Sequence, residues 1–323
     1  MNVNIGISLN ILLGFTAMSC SDDETDNRVD AGQTLNFDGD IGAETDTGST
    51  LGTDTVEQGT GSGDMDTGVA FDPDTGEETI GACSIGGGEH TGSGRTEEQY
   101  MGADVQRDGK YYRMITNGWG QNWRAHDISW LGSTMTVHDY DGSRQSNGAP
   151  AGYPSVFCGR YSDTSQDCGL PRPISEVTAI NTSAVWNHPA GDGTYNVAYD
   201  VWLGDGDAIF MGLRSYFMVW LRDPPGEQPA GSLDSKNVKV AGVPGNWNII
   251  SGRVNGLPIV NYVRAEGNDA HAIAFDMMDF LRDARERGFE LPGDDLLAVA
   301  IGFEIWEGPV TELALEDFCL DIQ

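Results

Sequence analysis

Apolar residues along this chain fall in short runs, alternating or continuous, punctuated by Gly, Pro, Asn and Asp. The densest run is residues 215–221, Ser-Tyr-Phe-Met-Val-Trp-Leu. Read as a strand with period two, it sets Tyr216, Met218 and Trp220 on one face and Phe217, Val219 and Leu221 on the other. The second face is suited to a core. The first offers a phenol, a thioether and an indole, a surface that fits a flat sugar ring better than water. Similar runs predict strands over 111–116, 134–137, 155–158, 176–180, 194–203, 238–240, 247–252, 258–262, 297–304 and 313–321. One stretch, 276–287, reads as helix. Met277, Phe280, Leu281 and Ala284 recur at helical spacing, arginines gather late, and Gly288 follows as a stop. Many short strands with turn signals between them predict an all-β antiparallel sandwich or barrel.

Composition then divides the chain. With 323 residues and a net charge of −32, it shows an abrupt change near residue 80. Residues 21–80 hold seventeen acids and one base, Arg28, so half the net charge sits in under a fifth of the length. This Asp/Thr/Gly-rich stretch buries too little apolar area to offset its ordering entropy and reads as a disordered acidic linker. Its repeated Asp-Thr-Gly units lack the remainder of a calcium loop, so a solvated spacer is the preferred reading. Residues 1–20 read as a targeting segment, because the apolar run 5–18 is too short to cross a bilayer comfortably. Cys20 follows Ala17-Met18-Ser19, which is either a lipoprotein cleavage box with Ala in place of the preferred Leu or an ordinary secretory signal with an incidental Cys. Both place the protein outside the cytoplasm, secreted or held at a membrane surface through lipidated Cys20. Residues 81–323 form the folded domain. With 18 Lys and Arg in all, no nucleic-acid partner is expected. No metal or other cofactor is expected, and neither is oligomerisation.

Five cysteines suit an oxidising compartment. Setting Cys20 aside, a local bridge between Cys158 and Cys168 would pin the polar loop between them. Cys83 and Cys319 would then tie the start of the domain to its end. Zinc is the competing use, but there is no C-x-x-C pair and the five histidines have no ligand spacing. Of the eight tryptophans, Trp186 and Trp247 fit a core. Trp119, Trp220 and Trp306 sit beside polar or glycine neighbours and fit sugar contacts.

A series of motifs makes the picture specific. In order they are Thr116-Asn-Gly-Trp-Gly120, Ala149-Pro-Ala-Gly-Tyr-Pro-Ser155, Leu170-Pro171, Tyr199-Asp-Val-Trp-Leu203, Met218-Val-Trp-Leu221, Pro229-Ala-Gly-Ser232, Phe275-Asp-Met-Met-Asp-Phe280 and Gly302-Phe-Glu-Ile-Trp-Glu-Gly308. Over residues 81–323 the chain resembles glycoside hydrolase family 12. That resemblance implies a concanavalin-like β-jelly-roll sandwich of two antiparallel sheets. It also implies an open cleft for β-1,4-glucan: cellulose, mixed-linkage glucan or xyloglucan. Retaining enzymes of this kind place two carboxyl groups roughly 5 Å apart across the scissile bond. By resemblance, Glu304 is the general acid/base. Strand alternation agrees, putting Gly302, Glu304 and Trp306 on one face. Asp200 matches the residue that hydrogen-bonds the nucleophile, and Asn117 and Trp119 match a sugar platform, with Met218, Trp220 and Trp306 lining the cleft. The family more often has Asn at the position of Thr116.

The nucleophile is where the chain departs. The family pattern Glu-Ile-Met-(Ile/Val)-Trp here begins Tyr216-Phe217, and no acid lies between Asp207 and Asp223. A one-residue slip would turn Met218 and Trp220 off the cleft face. Three routes remain open: the protein binds β-glucan without cleaving it; Tyr216 attacks, as a tyrosine does in sialidases; or a loop acid, Asp205, Asp207 or Glu227, holds a water for an inverting reaction.

Overall fold

The computed structural model describes residues 70–71, 78–80, 83–161, 164–166, 168–189, 191, 193–206, 212–265 and 270–323. The targeting segment with Cys20, and almost all of the acidic linker, lie outside the described residues. The linker's last part is more ordered than its composition predicts: strands Ala70–Phe71 and Glu78–Ile80 pair with each other, and the latter pairs with Cys83–Ser84.

Two large sheets form the domain. The outer one runs in the order Ala272–Asp276, Ile180–Trp186, Val310–Ile322, Thr134–Gly142, Trp123–Leu131, Ser93–Thr96. The larger inner one runs Ser232–Val238, Trp247–Val254, Leu257–Arg264, Leu213–Arg222, Val197–Gly204, Asp295–Gly302, Ser155–Tyr161, Lys110–Ile115, Gly102–Arg107, His90–Thr91. Its pairs are antiparallel except for Leu213–Arg222 with Leu257–Arg264, which is parallel. Period-two alternation decides what lies between the sheets. Phe217, Val219 and Leu221 point into the main core with Tyr199, Val201, Val299 and Ile301, against Ile128, Val137, Leu313, Leu315 and Phe318 of the outer sheet. Each of these large apolar side chains contributes roughly 1.5–3 kcal/mol by leaving water. Trp186 and Trp247 are fully buried in this core.

The helix spans Met277–Glu286 and buries Met277, Met278, Phe280, Leu281 and Ala284. It starts where it does because the Asp276 carboxylate accepts from the Met278 N–H (3.0 Å) and from the Ile180 N–H (2.8 Å). Phe280 then meets Trp247 edge-on, with ring centres 4.9 Å apart.

Elsewhere the strand pattern differs from the sequence prediction. The strand expected at 176–180 falls mostly on an irregular link between a 3-10 turn, Ile174–Glu176, and the strand proper, Ile180–Trp186. The edge strand expected at 238–240 is Ser232–Val238. Strands Gly102–Arg107, Trp123–Leu131 and Ala272–Asp276 were not expected at all. The two disulfides, Cys83–Cys319 and Cys158–Cys168, form as paired in the sequence reading. No helix among the described residues is long and apolar enough to cross a membrane.

Candidate active site

The inner sheet's second face carries the candidate site, and strand register arranges its floor in rows. Phe157, Ala300, Asp200, Met218, Asn261 and Ile250 lie side by side across six strands. One row along lie Ala298, Trp202, Tyr216 and Ile259, and on the other side Gly302, Ala198, Trp220 and Val263. Small residues at Ala198, Ala298 and Ala300 keep the middle of the floor low. Large side chains rise on either side: the aromatics Tyr153, Phe157, Tyr161, Trp119 and Trp202 in one group, and Trp220, Trp306 and Tyr216 with the thioether Met218 in the other.

Glu304 follows the strand Asp295–Gly302 and is held by one partner, Asn196. The Asn196 side-chain N–H donates to Glu304 Oε2 (2.5 Å), the Glu304 N–H donates to Asn196 Oδ1 (3.0 Å), and the Asn196 N–H donates to the Glu304 carbonyl (3.0 Å). Both residues are buried. Burial pushes the Glu304 carboxyl up to about 8, outweighing the stabilising Asn196 bond, with the Asp200 charge adding to the rise. Near neutral pH Glu304 therefore carries a proton, the state a general acid needs.

Asp200 is also buried, and its Oδ2 accepts from Tyr161 Oη and from Trp202 Nε1, both at 2.9 Å. Desolvation raises this carboxyl to about 6 against those two bonds. Its Oδ1 is buried without a hydrogen-bond partner. Tyr216 stands directly opposite Trp202 in the register. Burial, followed by the charges of Asp200 and Glu304, holds its phenol far above the ordinary value.

Among the expected sugar contacts, Trp119 and Asn117 are half-exposed. Trp119 packs beside Tyr153, with ring centres 6.4 Å apart, and its backbone N–H donates to the Ala151 carbonyl (2.6 Å). Asn117 takes a positive φ of 44° at the turn that presents Trp119. Met218 lies on the cleft face and is nearly covered, at 8% exposure; Trp220 (0%) and Trp306 (5%) are buried there too. Of the loop acids, Asp207 lies outside the described residues. Asp205 sits five positions beyond Asp200, roughly 16 Å further along the chain. Glu227 is engaged by Arg144.

Three residues that the sequence reading missed complete the site: Asn196, Tyr161 and Trp202. Trp202 had a signal, since it lies two positions beyond Asp200 on the same strand face. Tyr161 and Asn196 had none, because each meets its carboxylate across a long stretch of chain, 39 positions for Tyr161 and 108 for Asn196.

Two buried carboxyls, one protonated and one titrating near 6, in an aromatic cleft across one sheet of an all-β sandwich, define a glycoside hydrolase type of site. A model of glycosyl hydrolase family 12 matches residues 110–323, and the chain belongs to that family. Among solved structures, it is similar to endoglucanase Cel12A from Rhodothermus marinus, with 27% identity, 71% of this chain and 99% of that one covered, and a TM-score of 0.61. The endo-1,4-β-glucanase CelB2, a cellulase, matches with 27% identity, the same coverages and a TM-score of 0.62. A family 12 xyloglucanase from Bacillus licheniformis shares the fold at 20% identity, with 71% and 100% covered and a TM-score of 0.59. A search of curated protein sequences found no match.

Proposed function

We propose that this protein binds β-1,4-glucan in its cleft and lacks the covalent step of a retaining hydrolase. The observation that carries this reading is Tyr216, a half-buried phenol whose proton affinity is raised by burial and by the two carboxyls around it. A nucleophilic phenolate needs a neighbouring cation or a free base. Here Asp200 already accepts two hydrogen bonds through Oδ2, and the nearby charges are negative. The open aromatics Trp119 and Trp202 provide the stacking surface for pyranose faces. The same reading makes the protein a secreted monomer, or one held at the cell surface through Cys20. Its support is the apolar segment 5–18, the acidic linker and the two disulfides.

One observation favours a second reading. Between about pH 6 and 8 Glu304 is protonated while Asp200 is ionised, the pairing required for single-displacement hydrolysis with inversion. The unpartnered Asp200 Oδ1 would then hold the attacking water.

Affinity electrophoresis on barley β-glucan, xyloglucan and carboxymethylcellulose, run beside a reducing-end assay, separates these readings. Retarded migration without new reducing ends is expected. Reducing ends that vanish in Glu304→Gln would sink the binding-only reading, and α-anomeric product would establish inversion. Absence of both binding and release would remove β-glucan as the ligand. Installing a carboxylate with Tyr216→Glu should produce turnover where the parent has none, because the acid and the floor are already in place.

A further inference from the structure

The two aromatic groups of the cleft differ in one respect: Trp119 and Trp202 are half-exposed, whereas Trp220 and Trp306 are buried. Two loops meet over Trp306, and Trp306 covers Trp220. The Arg144 guanidinium lies over the Trp306 ring, 5.8 Å from its centre, and is ion-paired with Glu227. Trp306 in turn packs on Trp220, ring centres 5.8 Å apart. Both loops are pinned. The Arg144 carbonyl accepts from Asn122 Nδ2 (2.6 Å), and next to it Gln145 Nε2 donates to the Trp119 carbonyl (2.9 Å). On the other side, Asn261 Nδ2 donates to the Ala230 carbonyl (3.0 Å), fixing the loop that carries Glu227 from below.

The covered half is also where polar atoms are stranded. Trp220 Nε1, Trp306 Nε1 and Asn261 Oδ1 are buried with no hydrogen-bond partner. Buried polar groups are ordinarily satisfied, and each one left unpaired is costly. Two indole N–H donors and an amide acceptor, on a cleft face lined by aromatic rings, match the hydroxyls and C–H faces of a sugar.

We propose that Arg144 and Glu227 form a clasp that shuts the Trp306 half of the cleft, and so determine which glucans the protein takes. Short β-1,4-glucans, or chain ends, occupy the Trp119–Trp202 half. A longer chain enters the other half by displacing the clasp. This deepens the glucan-binding reading and rests on it. An exposed ion pair plus a cation–π contact are together worth about tenfold in affinity, so the clasp biases selection without barring it.

The test is calorimetric titration of the full chain with cellotriose and cellohexaose, both uncharged, for the parent, Arg144→Ala and Glu227→Gln. Cellohexaose should bind Arg144→Ala about tenfold more tightly than the parent and Glu227→Gln a few-fold more tightly. Cellotriose should bind all three alike. Salt supplies a second readout. An uncharged ligand has no charge to screen, so raising ionic strength should strengthen cellohexaose binding to the parent and leave Arg144→Ala unaffected. If cellotriose binds but cellohexaose gains nothing in either variant and shows no salt dependence, the clasp proposal is overturned and glucan binding stands. An equal gain for both sugars likewise overturns it. If neither sugar binds any form, the glucan reading itself fails and the clasp falls with it.

Discussion

Replacing Glu304 by Gln should stabilise the protein in a way that depends on pH. The folded carboxyl titrates at about 8 against an ordinary 4.5, chiefly because burial disfavours its charge. The folded state therefore holds a proton that the unfolded chain releases first. The stability this confers is complete below about pH 4.5 and is lost as pH rises through about 8. At roughly 1.4 kcal/mol for each tenfold change in proton affinity, the full loss is on the order of 5 kcal/mol, with about 2 kcal/mol of it gone by pH 6. Gln keeps the shape, stays neutral and can still accept from Asn196 Nδ2 through its amide oxygen. The variant should match the parent near pH 4.5 and exceed it increasingly toward pH 9. For a domain of this size that is a difference of roughly 10–20 °C in Tm. Asp200 titrates at about 6 and its slope has the same sign, but it is common to both proteins while Glu304 is neutral. The assay is urea unfolding at a series of pH values, with m compared to exclude a change in the denatured state. Parallel stability curves across the whole range would refute the reasoning, since they would mean that Glu304 ionises as an exposed carboxyl does.

Trp202→Phe removes the indole N–H that donates to Asp200 Oδ2, one of two bonds holding that carboxyl down. Its pKa should rise above about 6, read by NMR of a labelled carboxyl carbon, and an unchanged titration would show that the bond does not bias the charge. Asp276→Ala removes the acceptor for the N–H groups of Met278 and Ile180. It should lower stability by about 1–3 kcal/mol in denaturant unfolding, and a loss under 0.5 kcal/mol would mean that water replaces both bonds.

How far the site could be read in advance depended on where its parts lie in the chain. Residues 215–221 revealed their two faces because each side chain's neighbour is two positions away, and that periodicity survives in the sequence. Glu304 and Asp200 were visible through the family resemblance, each inside a contiguous motif, with strand alternation supporting Glu304. Asn196 was not, because its whole role is to meet Glu304 across 108 positions. Trp123–Leu131 was missed as a strand since its buried face includes the polar His126 and its pairing shifts register at Trp123/Ala125 and Asp127/Ile128, which interrupts the apolar alternation. Trp220 and Trp306 share one face by their spacing, but the covering of Trp306 by Arg144 arises from a loop that precedes it by more than seventy residues. Exposure is a tertiary property, and spacing along one strand does not encode it.

The Cys83–Cys319 bond has a mechanical meaning. Cys319 lies on Val310–Ile322, where it pairs with Ser183 of Ile180–Trp186 in the outer sheet. A pull applied to the chain before Cys83 passes covalently into that strand and bypasses the edge strands His90–Thr91 and Ser93–Thr96. Those strands would otherwise peel off one after another. With the bond intact the load acts along the ladder between Val310–Ile322 and Ile180–Trp186, which resists in shear where the edge strands would unzip.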